Sequence, residues 1–299
     1  MKKFIVILFI GLSALTISSC KETTTEPASS LYNADISITT SHLRPPRIGE
    51  SYVLWLRSGI DSPWVNTTII KVAFISVADT SAFLFHILTS RIDNISDAMI
   101  TIENTPLAVM PGLVLMSGKL NGDSIKKTST LSANALGNFS SLAASLVFTT
   151  QSSDTTAYRH EFYLCSYDGT TFVSSLSHLP LAPSGWKYGL WAVDSNFTPD
   201  QLIFYGLFSD SIGHDSDSAN DNLLFPGGDK LQPMNIPTGS IIVTLEPDFY
   251  GNDVKLKGPS PFPLLSFKRS KYIQRNINYP MTSVAASGVP SAIIRIIKK

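Results

Sequence analysis

The chain has 299 residues, 43% of them hydrophobic and 15% charged, which is enough apolar side chain to bury a core and excludes a disordered tail. Lys+Arg and Asp+Glu each total 23, so no net field draws it to nucleic acid, and two cysteines exclude both a disulfide-rich scaffold and a Cys-rich zinc module. The 40 Ser and 24 Thr point to solvent faces made of hydroxyls on strands rather than of Lys and Glu on helices.

Residues 1–19 read as a leader: Lys2 and Lys3, an apolar run from Phe4 to Ile10 continuing through Leu12, Leu15 and Ile17, then small residues. The run is too short for a comfortable membrane span and has the layout of a secretory signal peptide. Its end, Ile17-Ser18-Ser19-Cys20, resembles the bacterial lipobox. That resemblance implies that Cys20 becomes the acylated first residue of the mature chain, and several acyl chains give a stable anchor where one does not. Residues 20–30 then form a tether with nothing to contribute to a core. The location implied is the cell envelope, on the membrane through a lipid anchor.

Downstream, strands are expected at 52–56, 69–75, 99–102, 112–116 and 142–149, each short, β-branched or aromatic, and bounded by Gly, Pro, Asn or Asp. A second series follows at 162–165, 188–193, 202–208, 241–245, 254–256 and 292–297. Residues 82–88 are apolar but too brief for a helix, and no window outside the leader sustains an amphipathic one.

The two series are copies. Ser41-His42-Leu43, Gly49, Tyr52 and Leu54-Trp55 match Ser177-His178-Leu179, Gly185, Tyr188 and Leu190-Trp191 at a constant offset of 136. Thr101-Ile102-Glu103 matches Thr244-Leu245-Glu246 at 143, which places an insertion within 209–238, and Leu115 with Gly118 falls near Leu256 with Gly258. A period this long is a domain rather than a solenoid repeat, so two tandem antiparallel β-sandwich or barrel-like domains are expected, at 31–155 and 156–299.

The second copy carries Tyr188-Gly189-Leu190-Trp191, Tyr205-Gly206-Leu207-Phe208 and Val243-Thr244-Leu245-Glu246-Pro247, and the first carries degenerate versions around Tyr52, Trp55 and Glu103. This pattern resembles the extracytoplasmic C-terminal domain of the anti-sigma-K factor family. The resemblance implies an extracytoplasmic β fold and a sensing or partner-binding habit. Members of that family also have a sigma-binding helical domain and a membrane helix, and neither has a counterpart here, so anti-sigma activity is not implied.

Candidate sites are few. Asp210, Asp215, Asp217, Asn220, Asp221 and Asn222 crowd one loop with oxygen ligands of the kind Ca²⁺ takes. Ala219 stands at the third ligand position of an EF-hand and no terminal glutamate follows, so the loop is not that motif, and a solvated Asp/Ser/Asn turn is the alternative. Lys268, Arg269, Lys271 and Arg275 open an acid-free stretch, 266–299, with seven basic residues, while residues 20–265 hold 14 basic against 23 acidic ones. That basic surface suits anionic lipid or complementarity between domains. His42 and His178, and likewise Glu103 and Glu246, recur at equivalent places and read as structural, the glutamates binding their own loop backbones. His160-Glu161 lacks the second histidine of a zinc protease helix, no nucleophile elbow or phosphate loop is present, and Cys165 sits in an apolar run as a small buried hydrophobe.

The expectation is therefore an anchored, non-enzymatic binding or sensory module without a cofactor unless the acidic loop takes Ca²⁺. Its partner would be an envelope protein or a glycan. The alternatives are a structural envelope protein, or a carbohydrate-acting or glycan-binding β protein with Trp64 and Trp186 exposed.

Overall fold

The computed structural model describes residues 34–70, 80–87, 94–104, 109–149, 161–176, 178–194, 201–209, 227–228, 239–250, 258–269 and 273–299. The first copy contributes β1 (Ala34–Ser41), β2 (Ser51–Arg57), β3 (Val65–Ile70), β4 (Thr80–Ile87), β5 (Asp97–Glu103), β6 (Leu113–Lys119), β7 (Asn121–Gly122), β8 (Lys126–Ser132) and β9 (Ser145–Thr149). The second contributes β10 (Glu161–Tyr163), β11 (Cys165–Tyr167), β12 (Phe172–Ser174), β13 (Trp186–Asp194), β14 (Gln201–Phe208), β15 (Gly227–Gly228) and β16 (Gly239–Pro247). It continues with β17 (Pro263–Lys268), β18 (Asn278–Pro280), β19 (Thr282–Ser283), the one-turn α1 (Ala285–Gly288) and β20 (Ser291–Lys298). The protein is all-β, and its sheets are antiparallel throughout.

The large sheet runs β3-β2-β5-β6-β8-β20-β1-β4, with β7 on β8 and β4 returning close to β3, so it curls toward a barrel. A second sheet runs β14-β13-β16-β17-β19, and smaller ones join β15-β10-β9-β18 and β11-β12. Where one face meets the core, burial alternates with the strand period of two. In β1, Ala34, Ile36 and Ile38 point inward between Asp35, Ser37 and Thr39, and in β20 Ala292, Ile294 and Ile296 alternate with exposed Ile293, Arg295 and Ile297. β2 and β5 are buried on both faces because a second small core, Val53, Trp55 and Met99 with Trp64 and Val114, covers their outer side.

The duplication is visible in the pairing. The path β3-β2-β5-β6 recurs as β14-β13-β16-β17. A bulge interrupts β2–β3 between Leu54 and Trp55, and another interrupts β13–β14 between Leu190 and Trp191. The partner bulges fall at Ile100/Thr101 and Val243/Thr244, so irregularities as well as strands repeat at the two sequence offsets.

One expected match is corrected. The counterpart of β6 is β17, because Met116 faces Ile100 as Leu265 faces Val243, whereas Leu256 lies outside the described residues. The loop entering β17 is longer than the one entering β6, which displaced the apparent match at Leu115 and Gly118. The division at 155/156 is crossed by backbone hydrogen bonds: β20, the last strand, lies between β8 and β1 in the first copy's sheet. A single apolar core also takes Ile36, Leu54 and Ile100 from the first copy together with Tyr188, Val243 and Phe262 from the second.

Strand β20 completes a face that would otherwise be open, and each buried Ile side chain there contributes roughly 1.5–3 kcal/mol. Residues 31–155 expressed alone should therefore show no cooperative thermal transition, whereas the full chain should. A sharp melt of 31–155 matching part of the full-chain transition would refute the shared closure.

Candidate functional site at the junction of the repeats

Each repeat ends its central hairpin in the same polar arrangement. Tyr52 donates its hydroxyl to the Arg44 carbonyl and Tyr188 to the Pro180 carbonyl, both at 2.9 Å, pinning the entering loop to its strand. His42 and His178 begin those loops with φ of 59° and 61°, a left-handed conformation uncommon outside glycine, and Gly49 and Gly185 repeat positive φ before the strand. Both tryptophans are fully buried. Trp55 donates Nε1–H to Thr101 Oγ1 at 2.9 Å, and Thr101 donates to Glu103. Trp191 donates directly to Glu246 Oε1 at 3.0 Å, as does the Thr244 hydroxyl.

Glycine decides the difference. A Cβ on Gly189 would lie 2.7 Å from Glu246 Cγ and 2.9 Å from Trp191 Nε1, so the missing side chain is what lets this carboxylate reach the indole. The first copy has Val53 there, and Glu103 turns instead toward Gly112, whose amide it accepts at 2.7 Å and whose absent Cβ would meet its carboxylate at 2.2 Å. In the second copy the Ser260 amide plays that part, at 2.9 Å from Glu246 Oε1. Both glutamates thus bind their own loop backbones.

Onto Glu246 the first copy lays a cation. Arg47, in the loop between β1 and β2, donates Nη1–H to Glu246 Oε2 and to the Gly258 carbonyl, each at 2.8 Å. Its Nε donates to Glu50 Oε1 at 2.8 Å, its Nη2 lies 2.6 Å from the same oxygen, and its backbone amide reaches Glu50 Oε2 at 3.1 Å. The guanidinium also lies 5.1 Å from the Tyr250 ring centroid. The two carboxylate side chains are wholly covered and that of Arg47 is 6% exposed, so this is a buried triad bridging residues 199 apart in sequence.

Burial opposes both charges. It pushes the Glu246 carboxyl above its usual range, and Arg47 with the Thr244, Ser260 and Trp191 donors offsets only part of that. For Arg47 the burial effect is outweighed by Glu246 and Glu50, which hold the guanidinium above its ordinary value. Four donors, from Arg47, Trp191, Thr244 and Ser260, converge on the Glu246 carboxylate. Chemically the arrangement is a clasp: every arm of the cation is directed at protein.

The other candidates are dispersed. Asp210, Asp215, Asp217, Asn220, Asp221, Asn222 and Lys271 lie outside the described residues, as does Cys20. Lys268 is exposed at the end of β17, Arg269 lies 5.5 Å over the Phe148 ring, and Arg275 is exposed. Trp186 is buried and packs edge-on against Phe262, and Trp64 is half-buried beneath the Arg57 guanidinium at 4.5 Å, so neither forms an open aromatic platform. Cys165 is fully buried, and burial pushes its thiol up to about 12. Among the described residues no group of three or more His, Cys, Asp or Glu side chains could share a metal ion, and no helix is long and apolar enough to cross a membrane. A surface groove of ≈ 500 Å³ runs between residues 134–140 and α1, its mainly apolar lining including Phe139, Ala285, Ala286 and Val289 beside Asn134 and Asn138.

Sequence reasoning passed over Arg47, Glu50 and Ser260. The available signal was a break in the repeat: where the first copy has Arg47-Ile48-Gly49-Glu50, the second has Pro183-Ser184-Gly185-Trp186. Compared with family models, curated proteins and solved structures, the chain matches none.

Arg47→Ala should cost about 3–5 kcal/mol in urea unfolding, since it strands two buried carboxylates. The Arg47→Met, Glu246→Gln pair should cost distinctly less than the two single changes added together. Strict additivity would mean the two side chains do not interact. Cys165 should resist a water-soluble maleimide at pH 8 in the folded chain and react on unfolding, whereas fast labelling of the native chain would contradict its burial.

Proposed function

We propose that the chain is a lipid-anchored extracytoplasmic binding or sensory module without catalytic activity, related in fold to the outer domain of anti-sigma-K factors but without their sigma-binding part. The observation that carries this reading is the leader ending in Ile17-Ser18-Ser19-Cys20 ahead of an all-β body that begins at Ala34. Support for a non-enzymatic role comes from the buried polar groups. Arg47, Glu50 and Glu246 face one another and nearby backbone at hydrogen-bonding distance, which suits a scaffold more than a reacting centre. The repeated Tyr-x-Leu-Trp element, with its tyrosine in equivalent bonds and its tryptophan fully buried in both copies, supports kinship of the two units with a single β domain of the anti-sigma-K type. The partner is then an envelope protein or a glycan presented outside the cytoplasm.

Expression of the full chain in a bacterial host, followed by mass spectrometry of the membrane fraction, tests the anchor. The expected product starts at an acylated Cys20, and Cys20→Ser should move the protein out of the membrane fraction. A mature N-terminus elsewhere, or one without acyl groups, would end the reading.

A further inference from the structure

We propose that the rim formed by the start of β8, the end of β20 and the start of β1 is a membrane-facing surface that binds anionic phospholipid headgroups. The proposal rests on the anchored reading above and adds which face meets the bilayer and what lipid chemistry it recognises.

Pairing brings three distant segments to one place. Ala34 opposes Lys298 and Asp35 opposes Ile297 across β1–β20, while Ile297 opposes Lys126 and Arg295 opposes Thr128 across β20–β8. The Lys298 amide donates to the Ile125 carbonyl at 2.8 Å, joining the hairpin before β8 to the end of β20. Exposed side chains here alternate in kind: Ile125 is 63% and Ile297 43% exposed, with Lys126, Arg295 and Lys299 also exposed and Lys298 half-buried. Among the described side chains, the carboxylates of Asp35 and Asp123 share the rim. Asp35 pairs with Lys299 at 2.9 Å, and Asp123 accepts the Ile125 and Lys126 amides at 2.8 Å each. Lys127 directs its ammonium to the Ile95 carbonyl at 2.7 Å. Among the described side chains, Lys126, Lys127, Arg295, Lys298 and Lys299 outnumber Asp35 and Asp123, and protruding isoleucines beside lysines form the pattern that settles into a headgroup layer, the apolar tips entering and the ammonium groups meeting phosphates.

The described residues begin at this rim, with Ala34. Only 14 positions separate Cys20 from Ala34, so an acylated Cys20 holds the start of β1 within at most about 50 Å of the bilayer even at full extension. Of Lys268, Arg269, Lys271 and Arg275, the basic residues singled out from sequence, Lys268 belongs to another part of the fold, pairing with Ser240 in the second sheet. Charge and tether therefore coincide on β1, β8 and β20.

The test uses the full chain in membranes. Cys165 is buried with its thiol pushed up to about 12, and acylation leaves Cys20 without a free thiol; in a chain found unacylated, Cys20→Ser removes that thiol, so a single introduced thiol is read against a quiet background in either case. Ile125→Cys and, separately, Leu181→Cys, in a loop where that side chain is 73% exposed, are extracted and reconstituted in phosphatidylcholine vesicles with or without phosphatidylglycerol. Modification by a membrane-impermeant maleimide is then timed. Ile125→Cys should react at least fivefold more slowly on anionic vesicles, and 0.5 M NaCl or the added changes Lys126→Glu, Arg295→Glu and Lys298→Glu should restore the rate, since each basic residue near such a surface contributes roughly fivefold. Leu181→Cys should be unaffected. Lys126→Ala, at the exposed start of β8, should restore part of the rate, and this milder variant decides the matter if the triple change lowers the melting temperature. Equal rates on both vesicles, or protection of Leu181→Cys instead, would overturn the proposal. The mass of the same extracted chain reports acylation independently: an unacylated chain that still protects Ile125→Cys on anionic vesicles removes the anchor but keeps the face.

Discussion

The junction depends on one carboxylate. Glu246 closes β16 inside the protein and accepts from Trp191, Thr244, Ser260 and Arg47, so one side chain ties a strand, an aromatic core residue, a loop and the other repeat. Desolvating such a charge costs several kcal/mol, and hydrogen bonds to a charged group contribute about 1.5–3 kcal/mol each. The clasp is thus close to neutral as a source of stability. Its strength lies in what breaking it would leave behind, and in the geometry it needs: Gly189 leaves room beneath the glutamate, and Arg47 reaches across to it.

Two repeats built alike have diverged around this point. The first copy keeps the tyrosine, tryptophan, threonine and glutamate, but with Val53 above the strand its glutamate leans on Gly112 instead. Arg47 of the first copy bonds Glu50 in its own repeat and Glu246 in the second. Besides that asymmetry, β20 lies in the first copy's sheet, and one core cluster takes side chains from both units. Duplication supplied the strands, and the junction came from positions where the copies differ.

This architecture has ends of different character. At the clasp end the loops carry Ile48, Val109, Met110 and Leu181, all strongly exposed, whereas at the opposite end of β1 and β20 isoleucines stand among lysines beside the start of the fold. A protein held at the second end presents the first away from its support. Such polarity suits a module that is anchored at one side and engages a partner at the other.

Strands whose side chains alternate or cluster by hydrophobicity were legible from sequence, because burial on one or both faces writes itself into the residue order. Thus 52–56, 99–102, 188–193 and 241–245 fall inside β2, β5, β13 and β16. β8, Lys-Lys-Thr-Ser-Thr-Leu-Ser, was not legible, since it buries only Ser129 and Leu131 and owes its form to partners on either side. β1 alternates cleanly as Ala34, Ile36 and Ile38 against Asp35, Ser37 and Thr39, and was readable but passed over. Sequence alone determined the β composition, the duplication with both its offsets, and the structural place of Trp55, Trp191, Glu103 and Glu246, because these follow from local pattern and internal comparison. Only tertiary structure decided that Arg47 meets Glu246 and that β20 closes the first sheet, because both join residues far apart in the chain and nothing local in either partner encodes the other.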